Sequence, residues 1–80
     1  MTERERYLGK RLVLRKDANE LKLRLSGDVT ALRALLDPFT PVENIKWDVI
    51  AAQALEAADK HSQLIEKLDV IAAITREIGE

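Results

Sequence analysis

Residue types that carry out chemistry are sparse in this sequence. It has one histidine, His61, which lies beside Asp59 and Lys60, and it has no cysteine. A metal site or a general base needs several convergent partners, and no second histidine or cysteine could complete such a site. We therefore interpret His61 as a histidine at a helix interface, and we expect no metal, no cofactor and no catalytic residue.

The carboxylates of the second half are distributed along the chain rather than paired. Their spacing is typical of a solvated helix face, and they are Asp48, Glu56, Asp59, Glu66, Asp69 and Glu77. The sequence also contains no glycine-rich phosphate loop and no serine nucleophile in a strand–turn–helix setting. These observations predict a protein that is not an enzyme.

A basic cluster in the first half is the one feature that could bind a charged ligand. Arg4, Arg11, Arg15 and Lys22 fall along one side of a helix, a spacing that could follow a phosphate backbone. Acidic residues interrupt this run, and the net charge of the chain is −1. Such a charge is unusual for a nucleic-acid-binding domain. We therefore keep a small nucleic-acid-associated accessory protein as the alternative function only.

The second half of the chain predicts one long helix over residues 41–78. Thr40-Pro41-Val42-Glu43 has the form of a capping box with proline at the first helical position, and the next glycine is Gly79. Side chains that alternate three- and four-residue spacing form one stripe, which is predicted to face another helix. The stripe consists of Trp47, Ile50, Ala54, Ala57, His61, Leu64, Leu68, Ile71, Thr75 and Ile78.

Residues 2–36 also follow a helical pattern. Their stripe has the same alternating spacing and consists of Tyr7, Arg11, Leu14, Ala18, Leu21, Leu25, Asp28, Leu32 and Leu35. The pattern keeps its phase through Ser26-Gly27-Asp28, so we favour one helix, which a kink at residues 26–28 could bend. Alternating leucines leave a β-hairpin over residues 11–26 as the alternative. Leucine, lysine, arginine and glutamate favour helix, however, and no Asn-Gly or Asp-Gly turn is present.

A short turn over residues 37–40 is expected to join the two helices. Asp37 precedes a proline, which disfavours the helical conformation and ends the first helix. Helices joined by so short a loop must lie antiparallel. The expected fold is therefore all-α, with one domain over residues 1–80 that forms an antiparallel, coiled-coil-like helical hairpin. The amino terminus lacks the apolar segment of a signal peptide and no apolar run could span a membrane, so we expect a cytoplasmic protein.

The predicted hairpin has more apolar surface than one seam can cover. The second helix has an apolar row beside its stripe, and residues 70–74 are apolar on every side. We expect this surplus to drive dimerisation into a four-helix bundle. The interface candidates are Leu55, Ile65, Leu68, Ile71 and Ile74. The predicted function is a non-enzymatic interaction or oligomerisation module that self-associates or docks on the helices of another protein.

Overall fold

The computed structural model describes residues 2–80, and within them it contains helices and turns but no strand. Helix α1 spans Glu3–Leu35 and helix α2 spans Trp47–Glu77, with a short 3-10 helix over Val42–Asn44 between them. The two long helices pack against each other and form an elongated hairpin of 60 × 17 × 14 Å. The predicted all-α helical hairpin is confirmed, and the alternative β-hairpin is wrong because residues 11–26 lie inside α1. No helix of residues 2–80 combines the length and the apolar composition that crossing a bilayer requires.

Helix α1 begins at a side-chain cap. The Thr2 hydroxyl accepts a hydrogen bond from the Glu5 backbone N–H at 3.2 Å, and the acidic first-turn residues Glu3 and Glu5 suit the positive end of the helix dipole. The helix then continues through Gly27 to Leu35. Because a helical glycine costs about 1 kcal/mol relative to alanine, packing on α2 must help to hold this part of α1 in the helical state.

The face of α1 that packs against α2 is the predicted stripe. Arg11, Ala18, Leu21 and Asp28 are buried, and the other members of the stripe are half-buried. The helical period therefore identified the inward face of α1, including its two charged members.

The connection between the helices differs from the predicted one. Pro41 has φ −56° and ψ 142°, which is an extended conformation, and the 3-10 helix that follows ends before Ile45. A tight turn at Lys46, in which the Trp47 N–H donates to the Ile45 carbonyl at 3.0 Å, then leads into α2. A turn does form over residues 37–40, where the Thr40 N–H donates to the Asp37 carbonyl at 3.0 Å, but it is only the first part of the connection. The predicted helix start at Pro41 is wrong, since α2 begins at Trp47.

The capping box fails because the turn uses the backbone group that the box requires. In a capping box the Glu43 carboxylate would accept from the Thr40 N–H. That N–H instead donates to the Asp37 carbonyl at 3.0 Å, and the Asp37 carboxylate accepts from the Phe39 N–H at 2.9 Å. The supporting apolar contact is also missing, because Asn44 occupies the partner position and Phe39 is 93% exposed.

Helix α2 ends at a glycine in the left-handed conformation. Gly79 has φ 77°, its N–H donates to the Arg76 carbonyl at 3.2 Å, and the Glu80 N–H donates to the Thr75 carbonyl at 3.1 Å. This pair of bonds is a Schellman motif, which satisfies carbonyl groups that the helix end would leave unpaired. The motif also turns Glu80 back toward α1.

The apolar core is small and lies between the two helices. Among residues 2–80, the buried apolar side chains are Ala18, Leu21, Leu64, Ile74 and Ile78. At the centre, Leu64 packs with Ala18 and Leu21, and Leu25, Leu68 and Ile71 surround them. Ala18 of α1 and Leu64 of α2 therefore lie at the same level of the hairpin.

Candidate interaction surface

Two polar clusters lie within the seam between the helices. The first is centred on Arg11, which is only 7% exposed. Its guanidinium donates to the Thr75 hydroxyl at 3.2 Å and pairs with the Glu80 carboxylate at 2.6 Å. Arg4 donates to the Ile78 carbonyl at 2.8 Å. Two cations therefore lie at the C-terminal end of α2, where the helix dipole is negative, and they attach that end to α1.

The second cluster is centred on Asp28, which is 9% exposed. Its carboxylate accepts hydrogen bonds from Gln53 Nε2 at 2.9 Å and from Lys60 Nζ at 2.7 Å. Gln53 and Lys60 are two helical turns apart, so both extend from the same face of α2. A buried carboxylate is stable only with such partners, and every buried side-chain nitrogen or oxygen among residues 2–80 has a hydrogen-bond partner.

Asp28 determines which face of α2 enters the seam. The predicted stripe contains Ala54 and His61, but the structure turns Gln53 and Lys60 inward and leaves Ala54 and His61 exposed. The predicted seam is wrong at these two positions and at Trp47, which is also exposed. An unpartnered carboxylate inside the seam would cost more free energy than the burial of one alanine gains, so the polar partners take the inward places.

With Gln53 and Lys60 turned inward, a mostly apolar row is left on the outside of α2, which we call the outer row. It consists of Trp47, Ala51, Ala54, Ala58, His61, Ile65, Leu68 and Ala72. Trp47, which we predicted in the seam, is 57% exposed, and Ile65 is 41% exposed. Leu68 is half-buried, and the other members are exposed. The alternating three- and four-residue spacing is the pattern by which one helix packs against another.

The predicted interface residues lie in two different environments. Leu55 is 73% exposed at the border of the outer row, and Ile65 belongs to the row. Leu68 and Ile71 are half-buried and pack against the central core, while Ile74 is buried. Leu55 and Ile65 are thus free to meet a second molecule, whereas Ile74 already has its partners within the hairpin.

The predicted basic surface is divided in a similar way. Arg11 lies inside the seam, and Arg4 is bound to the end of α2. Arg15 and Lys22 are exposed and line a shallow groove together with Leu68, so they border the outer row. Nucleic-acid binding by these four residues stays a prediction.

The residues missed by the sequence analysis are Gln53, Lys60 and Glu80. The signal for them was present in α1, because Arg11 and Asp28 are charged residues inside a stripe of apolar ones. Buried charges require partners on the facing helix.

Among residues 2–80, no group of three or more His, Asp or Glu side chains is arranged to hold a metal ion.

Comparison with models of protein families, with curated proteins and with solved structures found no match to this chain. Function is therefore inferred from the geometry of the outer row and of the two polar clusters.

Proposed function

We propose that this protein is a non-enzymatic helical interaction module of the cytoplasm that self-associates through the outer row of α2. Two hairpins would form a dimer of four helices related by a two-fold axis, which is the commonest symmetry of small assemblies. The observation that carries the proposal is an exposed apolar row with coiled-coil spacing along almost the whole of α2. The absence of cysteine is compatible with a reducing compartment.

The surface area of the chain supports the need for a partner. The hairpin exposes 6053 Å². A folded monomer of 9.0 kDa typically exposes about 4,900 Å². The surplus of roughly 1,200 Å² exceeds the ~800 Å² that each partner buries in a standard stable interface. A dimer that covers the outer row would bring the exposed area into the usual range.

The large side chains of the outer row and its border would supply the free energy of association. A dimer contains two copies each of Trp47, Leu55 and Ile65. Each of these six side chains gains about 1.5 kcal/mol on burial, which is the lower end of the usual range. The total of roughly 9 kcal/mol must offset an association cost of about 4–15 kcal/mol. A stable dimer therefore needs the whole row, including its alanines, to be in contact.

Sedimentation equilibrium on the wild type and two charge variants tests this proposal. We expect the wild type to be dimeric at micromolar concentration, and Ile65→Glu to shift it toward monomer by placing a charge within the row. Leu23→Glu is the matched control, because it places the same charge at an exposed leucine on the outside of α1. A monomeric wild type, or an equal loss of dimer in both variants, would contradict the proposal.

A further inference from the structure

Side-chain size varies along the outer row in an ordered way. From its beginning, the row has one large residue, three small ones, three larger ones and one small one: Trp47; Ala51, Ala54 and Ala58; His61, Ile65 and Leu68; and Ala72. Reversing this order places small residues where the large ones stand. The row is therefore complementary in shape to a reversed copy of itself.

We infer that α2 of a second copy occupies the outer row in the antiparallel direction, an inference that rests on the proposed self-association. In the register that matches sizes, every layer joins one larger and one small side chain, and two-fold symmetry repeats each layer. The layers pair Trp47 with Ala72, Ala51 with Leu68, Ala54 with Ile65, and Ala58 with His61 of the second copy. Uniform layers of this kind keep the distance between the two helices constant along the interface.

A parallel arrangement fits the same row less well. It places each residue opposite its own copy, so Ile65 would face Ile65 and Ala54 would face Ala54. The alanines would then require a short distance between the two helix axes and the larger residues a long one, within the range of about 8–10 Å for packed helices. Parallel packing also sets the helix dipoles side by side in the same direction, whereas antiparallel packing opposes them.

Exposed charges at the border of the row act weakly against the antiparallel register. The antiparallel register brings Asp48 of one copy near Asp69 of the other. It also places Arg15 and Lys22 of both copies on the same side of the interface between the two α2 helices. Salt and solvent screen the repulsion between exposed charges, whereas the free-energy cost of a poorly packed layer is not reduced in this way. Packing therefore decides the direction of the second α2. The antiparallel dimer should therefore become tighter as ionic strength rises, while a parallel dimer, in which Arg15 approaches Asp69, should become weaker.

A distance between spin labels distinguishes the two directions without disturbing the interface. Glu77 is exposed near the end of α2, and Glu77→Cys introduces the only thiol of the chain. With a rise of 1.5 Å per residue, the antiparallel register places the two labels about 50 Å apart. A parallel dimer would bring them within roughly 20 Å. A dimer with the shorter distance would overturn the inference.

Disulfide trapping gives a second, independent measurement of the register. Ala54→Cys and Ile65→Cys, mixed in equal amounts and oxidised gently, should link mainly to each other, since only the antiparallel register brings residues 54 and 65 within the short reach of a disulfide. Glu20→Cys, exposed on α1, measures random collisions. A dimer in which Ala54→Cys links to itself above that background would refute the register alone. A wild-type chain that sediments as a monomer would refute the proposed function, and the register with it.

Discussion

Replacing Asp28 by alanine tests how strongly the polar cluster stabilises the packing of α2 on α1. The change removes the acceptor of two hydrogen bonds, from Lys60 at 2.7 Å and from Gln53 at 2.9 Å. Both bonds are made to a charged carboxylate, and a hydrogen bond to a charged group contributes about 1.5–3 kcal/mol. The lower value applies to both, because the Lys60 side chain is 26% exposed, Gln53 is half-buried, and water can replace part of each lost contact.

The two lost bonds together amount to about 3 kcal/mol. Alanine favours the helix over aspartate by roughly 0.5 kcal/mol, which offsets part of the loss. The expected decrease in the free energy of unfolding is therefore about 2.5 kcal/mol. For a domain of this size, that decrease corresponds to a melting temperature lower by roughly 10–20 °C.

Urea unfolding followed by far-ultraviolet circular dichroism, at one fixed protein concentration, measures the effect. Glu20→Ala is the matched control, because it removes an exposed carboxylate from the same helix and should change stability by less than about 0.5 kcal/mol. Lys60→Met, combined with Asp28→Ala in a double-mutant cycle, isolates the coupling between the two groups.

The cycle also defines the result that would refute this reasoning. Each single change should destabilise the hairpin, and the double variant should lose clearly less than the sum, because the second change removes a group that has already lost its partner. Strictly additive losses, or an Asp28→Ala midpoint equal to that of Glu20→Ala, would show that the cluster does not direct the packing.

Three further predictions concern Thr2 and Thr40, the end of α2 and the alternative function. Thr2→Ala should lower the free energy of unfolding by up to about 1 kcal/mol because Thr2 caps α1, whereas Thr40→Ala should leave the unfolding midpoint nearly unchanged because Thr40 caps no helix. Gly79→Ala should destabilise the hairpin by about 1 kcal/mol, because the left-handed conformation at φ 77° disfavours a side chain; an unchanged urea midpoint would contradict this. Titration with DNA and RNA at two salt concentrations should show no steep salt-dependent binding. Such binding, reduced by Arg15→Gln, would restore the nucleic-acid alternative.

Several features of this protein follow from local patterns in its sequence. The alternating three- and four-residue spacing predicts both helices, since a helical period places those side chains on one face whatever the chain packs against. The same spacing identified the inward stripe of α1, with Arg11 and Asp28 as buried members. Helix α1 also continues through Gly27, as its unbroken apolar phase predicts.

The predicted helix start at Pro41 fails because two acceptors compete for the Thr40 backbone N–H in the folded turn. The capping box at Thr40 is a valid local pattern, but its backbone N–H can donate to only one strong acceptor at a time. In the folded chain that acceptor is the Asp37 carbonyl. No pattern within residues 40–43 contains this information, because the competing group lies on the other side of Pro38.

The rotation of α2 was likewise decided only by tertiary structure. The period of α2 supports two adjacent inward faces, one with Ala54 and His61 and one with Gln53 and Lys60, and hydrophobicity alone favours the first. The buried carboxylate of Asp28, on the other helix, requires donors and selects the second. The sequence by itself determined which residues share a face, and a charge brought in from the facing helix determined which face was buried and which was left as the outer row.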